Sequence, residues 1–291
     1  MSNLQMNNIL KRTVQYLSSK QCANGGFCVY KTEYLEEPNP TDTFFAVSSF
    51  QLLGEVIPNR DRVLSYLRQA LTNLKKQFPL STDTQSNIHN TFAFNYLYFP
   101  FYTLNRMGCL YLDEFWRDVL NRLEILLPEE VYANESGATQ QWLLRKVRTK
   151  KFAGEIPNHQ QVIDFILDLQ NDGGFGVKPN LIDTYWSVAL LKEMDYDLTQ
   201  MDSTRQFIQR LQTPQSGFTL TEDGLMTSLE VIYAGVFASL ILHMEIPYIE
   251  AALQFVQMCQ MDRGGFARMP VGLPDIESTY RALKVLKTCT N

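Results

Sequence analysis

Apolar residues recur along the chain in two patterns. Val162, Phe165, Ile166 and Leu169 fall at i, i+3, i+4 and i+7, with Gln161, Asp164 and Asp168 between them, which predicts a helix with one apolar stripe. Val63, Leu64, Leu67 and Leu71 form a similar stripe after Asn59 and Arg60. The second pattern is apolar nearly all round, as in TYWSVALLKEM (Thr184 to Met194) and LEVIYAGVFASLIL (Leu229 to Leu242). Such helices are buried on every side, so striped helices form an outer layer around them. Outer helices are expected to begin near residues 5, 60, 113, 159, 202 and 248, and inner helices near 42, 84, 135, 183, 224 and 275. These six helix pairs predict one all-α domain over residues 1–291, an α/α toroid whose inner helices surround a central cavity. The pair around Leu126 to Val147 is the most degenerate, and neither a β-hairpin nor an interdomain linker is expected.

A short phrase separates the helices: QCANGGF (Gln21 to Phe27), LQNDGGF (Leu169 to Phe175), LQTPQSGF (Leu211 to Phe218) and CQMDRGGF (Cys259 to Phe266). Phe175, Phe218 and Phe266 are 43 and 48 residues apart, a period that signals stacked supersecondary units. The glycine is expected to end each outer helix with positive φ, with the aromatic packing back on the helix pair.

Composition excludes several classes of function. A net charge of −5 lacks the basic footprint of a nucleic-acid binder. The opening MSNLQMNNILKRTVQYL has no apolar core of a secretory signal. Five scattered cysteines read as free thiols in a reducing, cytoplasmic setting. Leu225 to Leu242 approaches the length of a membrane span, but Glu230 within it favours a buried helix of a soluble protein.

The phrases NDGGFGVKPNLIDTYWSVALL and DRGGFARMPVGLPDIESTYRALKVL resemble the repeat shared by terpenoid cyclases and protein-prenyltransferase β subunits. The resemblance covers essentially the whole chain and implies the toroid fold. The catalytic signatures of those families are not matched. Glu277 stands in roughly the place of a zinc-binding His, and TEDGLMTSLEVIYAG carries no Asp-x-Cys. His89, His159 and His243 are not spaced as ligands with any cysteine, and the DxDD acid motif does not occur.

Asp42, Asp183 and Asp275 stand just before inner helices, either as N-caps or at a ring mouth where helix N-termini could hold an anion. Glu230, sharing a face with Thr227, Tyr233, Ala234 and Phe237, is either a structural carboxylate or a desolvated acid able to protonate an alkene. Glu277 and Arg281 are spaced as an intrahelical pair. NTFAFNYLYFPFYTL (Asn90 to Leu104) is rich in aromatics; Phe92, Tyr96 and Phe99, with Trp186, Tyr233, Phe237 and Tyr280 elsewhere, either fill the core or line an aromatic cavity suited to an isoprenoid. Arg145, Lys146, Arg148, Lys150 and Lys151 form a basic run, read as a solvated face or a rim meeting a diphosphate.

The function these features imply, with the resemblance, is binding of a hydrophobic isoprenoid or polyene and its acid-initiated cyclisation or isomerisation. Glu230 or one of the aspartates (Asp42, Asp183, Asp275) would be the acid, and Glu277, Tyr280 and Arg281 would lie beside the substrate. Alternatives are a prenyltransferase-like isoprenoid-diphosphate binder and a non-catalytic toroid that binds a lipid or partner. No redox cofactor or metal is expected, except Mg²⁺ accompanying a diphosphate. A homodimer and peripheral membrane contact are both compatible with the sequence.

Overall fold

The computed structural model describes residues 3–32, 34–77, 91–123, 125, 127, 138–154, 156, 158–225 and 227–290. Twelve α-helices occur among the described residues: α1 (Asn3–Ser19), α2 (Pro40–Leu53), α3 (Arg60–Gln77), α4 (Thr91–Arg106), α5 (Glu114–Arg122), α6 (Ala138–Lys150), α7 (His159–Asp168), α8 (Leu181–Glu193), α9 (Asp202–Arg210), α10 (Leu229–Ile241), α11 (Ile249–Met258) and α12 (Ile276–Cys289). The outer helices start within two residues of their predicted positions. The inner helix expected near residue 224 begins at Leu229, because the Ser228 hydroxyl accepts the Val231 N–H and sets the start there. The starts expected near residues 84 and 135, and His89 and Asn90, lie outside the described residues.

The chain forms two compact units, Met1–Leu123 with Cys259–Asn291, and Glu124–Met258. In the first, α2 packs between α4 and α12, with α1 and α3 against them. In the second, α8 packs between α6 and α10, flanked by α7, α9 and α11. The helices apolar all round are buried over most of their surface: Leu190, Leu191, Ile232 and Val236 have no exposure, whereas Leu240 near the end of α10 is exposed. The predicted stripe of α3 is buried as expected, at Val63, Leu64, Leu67 and Leu71. On α7 the buried residues are Val162, Ile163 and Ile166, so the stripe is rotated away from Phe165. Among the described residues no helix is long and apolar enough to cross a membrane.

The recurring phrase forms an element that the apolar pattern does not predict, a miniature antiparallel ladder. Gln170–Asn171 (β1) pairs with Gly174–Phe175 (β2), and Gln212–Thr213 (β3) pairs with Gly217–Phe218 (β4). Single bridges join Gln21 to Phe27 and Gln260 to Phe266. A third two-residue ladder joins Phe266–Ala267 (β5) to Pro274–Asp275 (β6). In the first ladder Asp172 and Gly173 both have positive φ, 47° and 81°, the signature of a tight hairpin turn. The Asp-Gly pair is the available signal for it.

Each residue of the phrase has a packing task against the outer helix of the following pair. The glutamine reaches that helix or the residues just before it by hydrogen bond: Gln21 Nε2 donates to Pro58 O at 2.7 Å, Gln170 Nε2 to Thr204 Oγ1 at 2.8 Å, and Gln260 Nε2 to Ile9 O at 3.1 Å. The first glycine lies against that helix's backbone. A Cβ on Gly173 would stand 2.3 Å from Ser203 O, and one on Gly264 2.1 Å from Arg12 O. The second glycine lies under an aromatic ring one turn later, Tyr66, Phe207 or Tyr16. The phenylalanine (Phe27, Phe175, Phe218, Phe266) has no exposure.

The same phrase is tied to the following inner helix by a threonine. The Phe27, Phe175 and Phe266 N–H groups donate to Thr43, Thr184 and Thr279 Oγ1 at 3.0, 3.1 and 3.0 Å. Each hydroxyl in turn donates to a capping residue's carbonyl: Asn39, Asn180 or Asp275. Thr184→Val keeps the shape but leaves the buried Phe175 N–H unpaired. It is expected to lower unfolding free energy by about 1–3 kcal/mol, read from the urea midpoint.

Candidate functional site

At the N-termini of the inner helices two of the caps lie one turn earlier than the sequence suggests. Asn39 caps α2 and Asn180 caps α8; their Oδ1 atoms accept the Asp42 and Asp183 N–H groups at 2.8 and 3.0 Å. Asp42 and Asp183 therefore sit inside the first turn, and the asparagine amides donate back to their Oδ2 atoms at 2.8 and 2.7 Å. Asp42 Oδ2 also accepts from the Val29 N–H at 3.0 Å. Burial pushes the Asp42 carboxyl above its ordinary range, against the Asn39 and Val29 hydrogen bonds that hold it down. Asp275 is a true N-cap, accepting from Ser278 N at 2.6 Å and Ser278 Oγ at 2.7 Å. It corresponds to Asn39 and Asn180, not to Asp42 and Asp183.

Asp42, Asp275 and Glu277 come together in the first unit, close enough for the latter two to raise Asp42 further. Three carboxylates with cap donors already used make these two helix ends poor receptors for an anion. Glu277 Oε1 accepts from Arg281 Nη2 at 2.7 Å, the intrahelical pair the spacing predicts. The two helix ends in the second unit carry Asp183 and Glu230. Glu230 lies in the first turn of α10, half-buried, rather than deep in an apolar helix. A carboxylate there complements the helix dipole.

The aromatic candidates separate into two clusters. In the first unit Phe44 and Phe45 of α2 meet Phe99 of α4 at ring distances of 5.3 and 6.0 Å, and Phe45 meets Tyr280 of α12 at 5.4 Å. Tyr98 and Tyr102 extend this cluster at 5.0 Å from each other. Phe99 is 1% exposed, a packing residue of the core, whereas Tyr280, Tyr102 and Tyr96 are half-buried. Phe92 begins α4, and its side chain lies outside the described residues. Phe44 and Phe45 are members that sequence reasoning misses, because α2 lacks periodicity, whereas Tyr98 and Tyr102 belong to the aromatic stretch of α4, whose members point in several directions.

In the second unit Tyr185 and Tyr233 are buried with their rings at 85° and 5.4 Å, and Tyr185 OH donates to Tyr233 OH at 3.3 Å. Trp186 stacks on Tyr185 at 4.6 Å and Phe237 on Tyr233 at 4.6 Å, both half-buried. Tyr185, the centre of this cluster, is also missed from the sequence, although it adjoins Trp186 in the same turn.

The basic run departs most from expectation. Arg145 to Lys150 lie on α6, which packs along α8, and of the run's cations only Lys146 and Lys150 are buried, Lys151 beyond the helix end being exposed. Lys146 has no exposure and Lys150 is 5% exposed. Lys146 Nζ stands 4.0 Å from the ring centroid of Trp142, one turn away on the same face. The Trp142 indole N–H is buried and has no hydrogen-bond partner. Trp142, Lys146 and Lys150 recur at i, i+4 and i+8, and that stripe is the signal that could place them inward.

At the end of this run Arg148 Nε donates to Glu193 Oε2 at 2.8 Å, and Lys151 Nζ lies 3.2 Å from Glu193 Oε1. Burial opposes ionisation of Glu193, but the Arg148 hydrogen bond and the two cations outweigh it and hold the carboxyl below its ordinary range. A lowered folded-state value adds stability above the unfolded carboxylate range, lost as pH falls through the folded value. Thermal stability is therefore expected to decline below about pH 4.5, and Glu193→Gln to flatten that decline measurably in melting curves between about pH 3 and 6. The partial exposure of all three groups keeps the effect modest.

Protein-prenyltransferase β subunits, whose repeat the recurring phrases resemble, carry a catalytic zinc. Among the described residues no three His, Cys, Asp or Glu side chains come together as a metal site. Glu277, in the place of a zinc-binding His, is paired with Arg281.

No curated protein matches the chain significantly in sequence. Among solved structures, Candida albicans protein geranylgeranyltransferase-I complexed with GGPP matches with a TM-score of 0.64 and 18% identity, over 95% of this chain and 90% of that one. At that identity the likeness shows the fold, an α/α toroid. The model of the prenyltransferase alpha-alpha toroid domain matches residues 1–94 and 119–291, and the chain belongs to that family.

Proposed function

We propose that this chain binds an isoprenoid diphosphate, its diphosphate held on the inward cations of α6. The observation that carries this reading is the Lys146–Trp142 pair: a fully buried ammonium beside a buried indole N–H without a partner, in a protein of net charge −5. An anion offers oxygens to both, and burial strengthens the interaction relative to a surface cation. The Tyr185, Trp186, Tyr233 and Phe237 rings of the same unit supply apolar surface of the kind an isoprenoid chain needs. The bound GGPP of the Candida albicans enzyme supports the choice of ligand class. Mg²⁺ would enter only as the counterion of the diphosphate.

The test is calorimetric titration with geranylgeranyl and farnesyl diphosphates, with and without Mg²⁺, against the corresponding alcohols. Tight binding of the diphosphates and weak binding of the alcohols is expected. Equal affinity for alcohol and diphosphate would remove the anion site from the proposal. Acid-initiated cyclisation is a second reading, favoured by the half-buried Glu230 one turn from Tyr233 and two from Phe237. It requires turnover of a polyene that Glu230→Gln abolishes while ligand affinity is retained.

A further inference from the structure

Cys22 and Cys28, in and just after the first recurring phrase, stand apart from the other three cysteines. Their sulfurs are 3.1 Å apart, and they are 5% and 2% exposed. The approach is enforced by backbone: Cys22 N–H donates to Gly26 O at 2.8 Å, and Cys28 N–H to Lys20 O at 3.1 Å. Gln21 bridges Phe27 across the same turn. None of the other phrases has cysteines at both positions, since Asn171 and Gly176, Thr213 and Thr219, and Met261 and Ala267 stand there. The packing of the phrase therefore does not require the pair.

We propose that Cys22 and Cys28 are a reversible dithiol–disulfide site whose oxidant is a small hydroperoxide. Burial excludes large reagents, whereas a hydroperoxide is small enough to reach a sulfur during brief openings of the loop. One thiol of the pair, ionised to its thiolate, attacks ROOH and takes one oxygen, giving a sulfenic acid and ROH. The neighbouring sulfur, 3.1 Å away, then displaces that oxygen as water, forming the S–S bond. In sum, two thiols and one ROOH give one disulfide, ROH and H₂O. A dithiol reductant reverses the step by exchange.

The crosslink would close a loop that already touches the start of α2. Phe27 N–H is held by Thr43 Oγ1, and Val29 N–H by Asp42 Oδ2. Oxidation is thus expected to slow hydrogen exchange at the Phe27 and Val29 amides by roughly tenfold or more, the scale on which covalent closure of a short loop suppresses opening.

The experiment treats the folded full chain with stoichiometric hydrogen peroxide, then unfolds it, alkylates it and maps the peptides. The expected result is loss of two of the five alkylations, one peptide pair joining Cys22 to Cys28, and recovery of all five with dithiothreitol. Cys22→Ser should leave Cys28 oxidised to sulfinic acid without a crosslink. Crosslinks distributed over Cys109, Cys259 or Cys289, or a protein that keeps five alkylatable thiols, would overturn the proposal. The mapping uses the unsubstituted protein, so it decides the matter even if a cysteine variant folds poorly.

Discussion

Gly264→Ala should destabilise the first unit by about 3 kcal/mol or more and lower its urea midpoint accordingly. Two costs combine. Gly264 has φ of +95°, a region where an L side chain costs about 1–3 kcal/mol, and its new Cβ would stand 2.1 Å from Arg12 O of α1. The obstacle is helix backbone, which cannot rotate away, and Arg12 already holds the same turn by donating from Nη2 to Met261 O and Asp262 O at 2.9 and 2.8 Å. Two other glycines separate the costs. Gly54 has φ of +71° with open space around it, so Gly54→Ala should cost about 1 kcal/mol, the conformational part alone. Gly272 meets nothing nearer than 3.5 Å, and Gly272→Ala should be close to neutral. If all three variants melt alike, the close approach of the phrase to α1 does not contribute to stability.

Lys146→Met should weaken diphosphate binding about thirtyfold, near 2 kcal/mol, while affinity for the matching alcohol stays the same. Methionine fills similar volume, and a urea midpoint measured for each variant separates loss of binding from loss of the fold. A variant that binds diphosphate as tightly as the parent would assign Lys146 to the core alone. Parallel titration of Lys151→Met provides the comparison, because that ammonium is partly exposed and engaged with Glu193. It should change the affinity by less than about twofold, since screening reduces exposed charge interactions.

Much of the fold is legible in the apolar pattern because inner and outer helices bury different fractions of their surface. That difference is written into α3, α8 and α10 residue by residue. Helix starts are harder to read, since an N-cap is a single side chain whose partner is a backbone group. At α2 and α8 the eye falls on Asp42 and Asp183, yet Asn39 and Asn180 make the caps and the aspartates answer them three residues later. The hairpin turn at Asp172 and Gly173 escapes notice because two-residue ladders leave no alternation of apolar and polar positions.

The site is less legible, for a different reason. On an inner helix most of the surface is buried, so charge in the sequence does not mean charge at the surface. Lys146 is the instance: within Arg145 to Lys151 it looks like its neighbours, and only its spacing from Trp142 distinguishes it. Glu230 misleads in the opposite direction, because the apolar run hides where α10 begins.

The stitch between the last recurring phrase and α1 has a consequence for biosynthesis. Arg12 and Met261 meet across 249 residues of chain, and Gln260 reaches Ile9 across 251. During translation α1 emerges long before its partners exist, with the Tyr16 ring and the Arg12 guanidinium still unmatched. The first unit can therefore be completed only after residues 259–291 have been synthesised, whereas residues 124–258 meet their partners earlier. A nascent chain stalled before residue 259 is expected to leave α1 exposed to proteases and chaperones, and emergence of residues 259–291 to end that exposure.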